Sequence, residues 1–535
     1  MHIILAAALL ACGSLLVAGP ASSEGSAGEN NLQSNIIIHP ANTVGETDDA
    51  LFSSFLEHMG RAVYHGIYEP GHPKADGDGF RRDVIDLLKP LGLELVRYPG
   101  GNFLSGYDWK DGIGPKQDRP RRLDLAWKSV ETNQVGVDEF MKWCAKTGVK
   151  PMMGVNLGTA GAKEAIELME YCNHPGGTYY SDLRKANGHP EPYGVKYWCL
   201  GNEMDGDWQI CHKTAEEYGR LAYETGKLMK LMDPECRLTV CGSSAYRMSG
   251  DWETEVLKRT WPIADYIAIH GYYGVPDGDI PAFLASNLEL EEYIKKVAGI
   301  IESVRHSKRS DRRVYISVDE WNVAYHGDRI PHEDCTEAPH IGEDHYVFVD
   351  SLAFASLFMT ILRNCDNVKA ACFAQLVNVL APVLTENTEE GGRSWAQTIY
   401  WPFLHLSKWG RGTVLDMRIA GDTYDAGGRT GIGYLDSLAV LSRDKKELIL
   451  FAVNRSLERD MDVKCDLSAF GGGRVAEHTV LNNDDLNAEN TPEEPDRVKP
   501  RPGNGCRIED GCLTGALEKH SWNVIRIRLD KGESK

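Results

Sequence analysis

From about residue 51 the chain alternates between two hydrophobic periods. Short apolar or β-branched runs are each followed by a longer stretch in which apolar residues recur at helical spacing. Eight runs read as strands: 51–60, 93–101, 149–158, 195–203, 237–244, 266–273, 314–321 and 368–378. Between them lie amphipathic segments such as VDEFMKWCAKTG and TAEEYGRLAYETGKLMKLMD, and glycine stop signals such as Gly92 and Gly148 close several of them. Strands that alternate with helices pair in parallel, and eight such units over roughly 340 residues predict a closed (β/α)8 TIM barrel. An open doubly wound sheet is the alternative. It is disfavoured because no G-x-G-x-x-G follows the first strand.

After about residue 410 the period changes. GTVLDMRIA, KELILFAVNRS and HSWNVIRIRL are short, alternating and separated by turn residues, the pattern of an antiparallel sandwich. NIIIHPANTV (35–44) reads as a strand that precedes the barrel and is expected to join that sandwich. The expected class is α/β, with residues 22–34 a polar, Gly/Ser-rich linker and 35–50 the strand joining the sandwich. Residues 51–405 are then the barrel, and 406–535 a C-terminal antiparallel, jelly-roll-like β-sandwich.

Composition narrows this little. With 42% hydrophobic and 25% charged residues the 535-residue chain is ordinary globular protein. Its net charge of −20 disfavours nucleic acid and anionic membrane surfaces as partners. The 13 cysteines include no C-x-x-C pair, so no zinc site, other metal or cofactor is expected. Cys506 and Cys512 are close enough to pair across a turn. Residues 1–21 read as a signal peptide: an apolar core from Ile3 to about Val17, then small residues. That predicts a secreted or periplasmic protein without a membrane span. LLAC (9–12) resembles a lipoprotein cleavage box, but the apolar run continues past Cys12 and favours ordinary cleavage near Ala21.

In a barrel of this kind the active site lies at the C-terminal ends of the strands. Read off in order, those ends carry Glu57 and His58, Arg97 and Asn102, Asn156, Asn202 and Glu203. Ser243 and Ser244, His270 and Tyr272, Glu320, and Gln375 and Asn378 follow. Glu203 ends YWCLGNE and Glu320 ends YISVDE, so both are expected at the mouth of the barrel. Two carboxyl groups facing one scissile bond are what glycoside hydrolysis requires: one protonates the leaving oxygen, the other attacks the anomeric carbon or activates water. A lone strand-end glutamate would more often pair with an arginine. Alternation along the seventh strand points Asp319 away from Glu320, toward a structural role. Trp208, beside the acid motif, is a candidate for stacking on a sugar, and His174 for a loop that caps the site.

GNEMDGDWQ (201–209) resembles the acid/base motif of glycoside hydrolase family 51, and DEWNVAY (319–325) its nucleophile motif. EHMGRAVYHGIYEPGHP (57–73), RYPGGNF (97–103), HGYYG (270–274) and QLVNVLAP (375–382) are similar to further segments of that family, in the family's order. The resemblance runs from about residue 35 to the end. It implies a retaining α-L-arabinofuranosidase with Glu203 as acid/base and Glu320 as nucleophile. It further implies that Asn202 binds the sugar 2-hydroxyl, and that Glu57, Arg97 and Asn102 grip the furanose or tune the carboxylates. Tyr272 would orient the nucleophile, with His270 and Gln375 as pocket neighbours. The substrate would be an arabinose-containing oligo- or polysaccharide, and the resemblance also implies a homo-oligomer, a hexamer. One departure is Ala324, where many bacterial relatives carry tryptophan. The rival readings are another retaining barrel glycosidase, such as a β-xylosidase or endoglucanase, and a non-catalytic carbohydrate-binding protein.

Overall fold

The computed structural model describes residues 31–324 and 335–530, so the signal peptide and Cys12 read from the sequence lie outside the described residues. Eight strands close a parallel barrel in sequence order: β1 Ser53–Phe55, β2 Leu95–Tyr98, β3 Lys150–Val155, β4 Tyr197–Leu200, β5 Arg237–Val240, β6 Tyr266–Tyr273, β7 Tyr315–Val323 and β8 Val368–Phe373. β8 pairs back onto β1 through Cys372 and Ser53, so no edge is left open. Each strand is followed by at least one helix on the outside. Val137–Thr147 shows why such segments are helical. Glu139 closes a capping box on the backbone of Gly136, apolar residues recur on one face, and Gly148 ends the helix in the left-handed conformation at φ 83°.

The sandwich consists of a five-stranded and a seven-stranded sheet. The segment expected as one strand over 35–44 is two. Leu32–Ile37 joins the five-stranded sheet and Thr43–Glu46 the seven-stranded one. The break is the turn at His39–Asn42. Pro40 offers no N–H for a ladder, and Asn42 N–H bonds the carbonyl of His39. Leu32 already pairs with Met461, so the extended chain begins inside the stretch read as linker, and this pairing is parallel, not antiparallel.

Helix Phe348–Arg363, which follows β7, explains how the two units are joined. Nearly all of its residues are buried, because one side packs on the barrel and the other on the seven-stranded sheet. At its end Arg363 reaches Asp436 of the sandwich at 2.7 Å, and Arg455 reaches the same carboxylate at 3.1 Å. The Cys506–Glu509 and Cys512–Leu517 strands set Cys506 opposite Gly515 and Cys512 opposite Glu509. Both cysteines are free, so the turn-spanning bridge does not form.

Candidate active site

Glu203 and Glu320 meet at the C-terminal mouth of the barrel. After β4 ends at Leu200 the chain turns sharply, with Gly201 at φ 87° and Glu203 itself at φ 44°. A left-handed glutamate costs of order 1–3 kcal/mol and persists only where its surroundings hold it. Here two bonds do so: Trp208 Nε1 donates to Oε2 at 2.6 Å, and His270 Nδ1 lies 2.9 Å from Oε1.

Glu320 is held from the other side. Arg97 Nη1 donates to its Oε1 at 2.7 Å and Tyr272 Oη to its Oε2 at 2.8 Å. Arg97 is buried, lies over the ring of Phe55, and donates with Nη2 to Asn202 Oδ1 at 2.6 Å. That fixes the amide orientation of Asn202, whose Nδ2 lies 3.5 Å from Asn102 Oδ1. One guanidinium thus aligns the residue before Glu203 with Glu320 across the barrel.

β7 departs from simple alternation. Its register against both β6 and β8 slips by one residue around 318–320. This bulge overturns the expectation that Asp319 points away. Asp319 Oδ1 lies 3.1 Å from His270 Nε2, and its Oδ2 lies 3.8 Å from Arg97 Nε. His270 therefore sits between Asp319 and Glu203, with Glu320 Oε2 at 3.6 Å. Burial alone would lower its pKa, but these carboxylates hold it well above the ordinary imidazole value. Burial would raise Glu203, but the bonds and charge of His270, with Trp208 and Arg97, hold it below the usual carboxylate range. Burial and the charge of Glu320 push the Tyr272 phenol far up, so it remains a donor.

Glu57 forms the far wall. Its Oε1 accepts from Phe103 N and Trp127 Nε1, both at 2.9 Å. Gln375 Oε1 accepts from its backbone N–H at 3.0 Å, and Gln375 Nε2 lies 3.4 Å from its Oε2. Burial raises its pKa to about 8, and the charge of Glu320 adds to the rise despite the bond from Phe103. The space between these groups depends on Gly101. A Cβ there would lie 3.2 Å from Glu320 Oε1, 3.3 Å from Glu57 Oε2 and 3.4 Å from Asn202 Nδ2.

All nine residues singled out from the sequence therefore surround one space: Glu57, Arg97, Asn102, Asn202, Glu203, His270, Tyr272, Glu320 and Gln375. Other strand-end residues do different work. Asn156 ties down the loop after β3, Ser243 bonds Glu253, Ser244 bonds Asp205, and Asn378 bonds Arg61 and Thr385. His58 belongs to a buried network with Glu131 and Tyr98, and His174 ends a helix. Trp127 went unrecognised because it sits on a short hairpin, Arg122–Asp124 with Ser129–Glu131, too brief to carry a period. Among the described residues, one group could offer a cation three ligand atoms: Glu203, His270 and Glu320, whose atoms lie within 4.8 Å of one another. No described helix is long and apolar enough to cross a membrane.

Two family profiles match, the "Alpha-L-arabinofuranosidase 1 domain" over residues 87–277 and the "Alpha-L-arabinofuranosidase C-terminal domain" over 319–521. The intracellular exo-α-(1→5)-L-arabinofuranosidase of Halalkalibacterium halodurans is 46% identical over 500 residues, which is 93% of this chain and 99% of that protein. An exo-α-(1→6)-L-arabinofuranosidase of Bifidobacterium longum is 44% identical, over 93% of this chain and 97% of that one. The solved family 51 α-L-arabinofuranosidase of Bifidobacterium longum superposes with a TM-score of 0.88 at 37% identity, covering 92% of this chain and 99% of that one. The expectation of a secreted or periplasmic protein is corrected by these relatives. Four of them, 46–48% identical, are named intracellular. An apolar run followed by small residues meets the compositional pattern of a signal peptide without being one by necessity.

Proposed function

The chain belongs to the α-L-arabinofuranosidases of glycoside hydrolase family 51 and is a glycoside hydrolase that releases arabinofuranosyl residues; from that premise we propose a double displacement run by Glu320 and Glu203. The observation that carries it is their separation. An oxygen of each lies within 4.8 Å of the other, near the ~5–5.5 Å of retaining glycosidases and short of the ~6.5–9.5 Å that inversion needs to admit a water.

In this reading Glu320 attacks the anomeric carbon while Arg97 and Tyr272 hold its two oxygens in line. Glu203 protonates the departing oxygen with a proton that reaches it from His270 across their 2.9 Å hydrogen bond. The resting site holds the carboxyl ionised and the imidazole protonated, and the two titrate as a pair. Once the alcohol has left, Glu203 takes a proton from water, and that water opens the glycosyl–Glu320 ester. Asn202 and Asn102 address the sugar hydroxyl beside Glu320, and Glu57 and Gln375 address the opposite edge.

We further propose action from non-reducing chain ends on arabinan, arabinoxylan or arabino-oligosaccharides. The exo-acting names of the relatives support this, although two of them differ in linkage, (1→5) against (1→6). Product analysis on the three substrates tests it, and release of internal fragments would refute it. Family membership sets aside the β-xylosidase, endoglucanase and non-catalytic readings. We also propose that residues 51–405 form the barrel unit and 406–535, with the two strands that precede residue 51, the sandwich, and that the chain assembles as a homo-hexamer, as the family resemblance implies; mass in solution checks the assembly.

Two results are expected. Gly101→Ala puts a methyl where the furanose must lie, and kcat/KM for an aryl α-L-arabinofuranoside should fall about a hundredfold with thermal stability retained. Wild-type kinetics would refute that placement of the sugar. Second, Glu57 with a pKa of about 8 is neutral at pH 7 and can donate to a sugar hydroxyl. Above that pH it ionises beside Glu320, so kcat/KM should fall as pH rises through about 8. Glu57→Gln should lose that alkaline limb, and an unchanged limb in the variant assigns it to another group.

A further inference from the structure

A second cavity, of about 920 Å³, lies outside the catalytic pocket. Its walls come from the loops after β1, β2, β7 and β8, so it opens on the same face of the barrel as Glu203 and Glu320. Its size falls within the ~300–1,000 Å³ of ligand sites.

The lining decides what chemistry it suits. Lys116, Arg119 and Arg121 are balanced by Glu69, Glu337 and Glu389. The cations are already engaged: Lys116 Nζ with Tyr68 Oη at 2.7 Å, Arg119 with both oxygens of Glu139 at 2.9 and 3.0 Å, and Arg121 with Glu337. On a chain of net charge −20, the described lining balances its three cations with three carboxylates and favours an uncharged ligand. What remains is the half-buried ring of Tyr64, packed edge-on against His58 and Tyr68, with the exposed amide of Gln117 beside it; the Gln134 amide donates to the carbonyls of Lys116 and Thr132 and helps shape the wall. That combination fits a neutral, hydroxyl-rich chain. A buried chain of hydrogen bonds runs from the cavity toward the catalytic site: Tyr64 bonds Glu131, which bonds His58, the residue after Glu57.

We propose that this cavity is a second glycan-binding site, which holds another part of the polysaccharide whose terminal arabinofuranosyl group occupies the catalytic pocket. The inference rests on the arabinofuranosidase reading. Two sites on one polymer make the second contact intramolecular, so the site acts on long substrates and is silent on small ones.

Gly71 gives the means of testing it. It lines the cavity, a Cβ there meets nothing within 4 Å, and its φ is not left-handed, so Gly71→Trp adds bulk at the cavity wall without backbone strain. Kinetics on linear arabinan and on 4-nitrophenyl α-L-arabinofuranoside, with native mass by light scattering, are compared for wild type, Gly71→Trp and Gln117→Ala. The proposal expects kcat/KM on arabinan to fall about tenfold in Gly71→Trp, and by less in Gln117→Ala, with the aryl glycoside changed by no more than about twofold. Unchanged arabinan kinetics in both variants would overturn it. So would a lowered native mass of Gly71→Trp with equal losses on both substrates, which would make the cavity a contact between copies of this chain. A wild type inactive on the aryl glycoside would bring down the parent reading and this one together. If Gly71→Trp does not fold, Gln117→Ala decides between the first two outcomes.

Discussion

Glu320→Ala is expected to lower kcat on any arabinofuranoside by about 10⁴- to 10⁶-fold, the loss typical of removing a nucleophile. The residue is buried, and its two oxygens are each held by one donor, from Arg97 and Tyr272. Among the described residues, nothing nearby can replace it. Glu57 is pushed toward its neutral form, and Glu203 is committed to Trp208 and His270. The small side chain leaves a vacancy beside the anomeric carbon that azide can enter. Azide should restore turnover and give the glycosyl azide of inverted configuration. A variant that keeps most of its activity would remove Glu320 from the mechanism, and rescue with retained configuration would point to attack from the other face.

Glu203→Ala should divide substrates by leaving group. An arabino-oligosaccharide, whose departing sugar needs a proton, should slow by about 10²- to 10⁴-fold, whereas the first step with a dinitrophenyl glycoside should change about tenfold or less. Pre-steady-state release of dinitrophenol measures that step before loss of the base slows turnover. Equal loss on both substrates would argue that Glu203 positions the sugar and donates no proton. His270→Ala separates the proton relay from fold. His270 touches Glu203, Asp319 and Glu320 at once, so its loss should move the alkaline limb that the general acid sets as well as lower kcat. A merely structural histidine would lower activity without moving the limb.

Much of this was legible in the residues because barrels repeat. Eight buried strands read as eight apolar runs, and the polar residues that end those runs are at the mouth because the topology leaves them nowhere else. Glu203 and Glu320 stood out for that reason. What was not legible depends on single departures from periodicity. The bulge in β7 that turns Asp319 toward Arg97 and His270 adds one residue, and no hydrophobic pattern marks it. Trp127 reaches Glu57 from a hairpin whose strands have three residues each. Gly101 matters for the side chain it lacks. At the N-terminus, IIIHPANTV read as one strand although Pro40 divides it between two sheets.

The central claim is that Glu203 and Glu320, an oxygen of each within 4.8 Å of the other, release arabinofuranose by double displacement. Proton NMR of the first sugar formed from an aryl α-L-arabinofuranoside, recorded before mutarotation, tests it most directly. The account predicts α-L-arabinofuranose first, with the β-anomer growing in later. β-L-arabinofuranose as the first product would mean a single displacement by water and would contradict it.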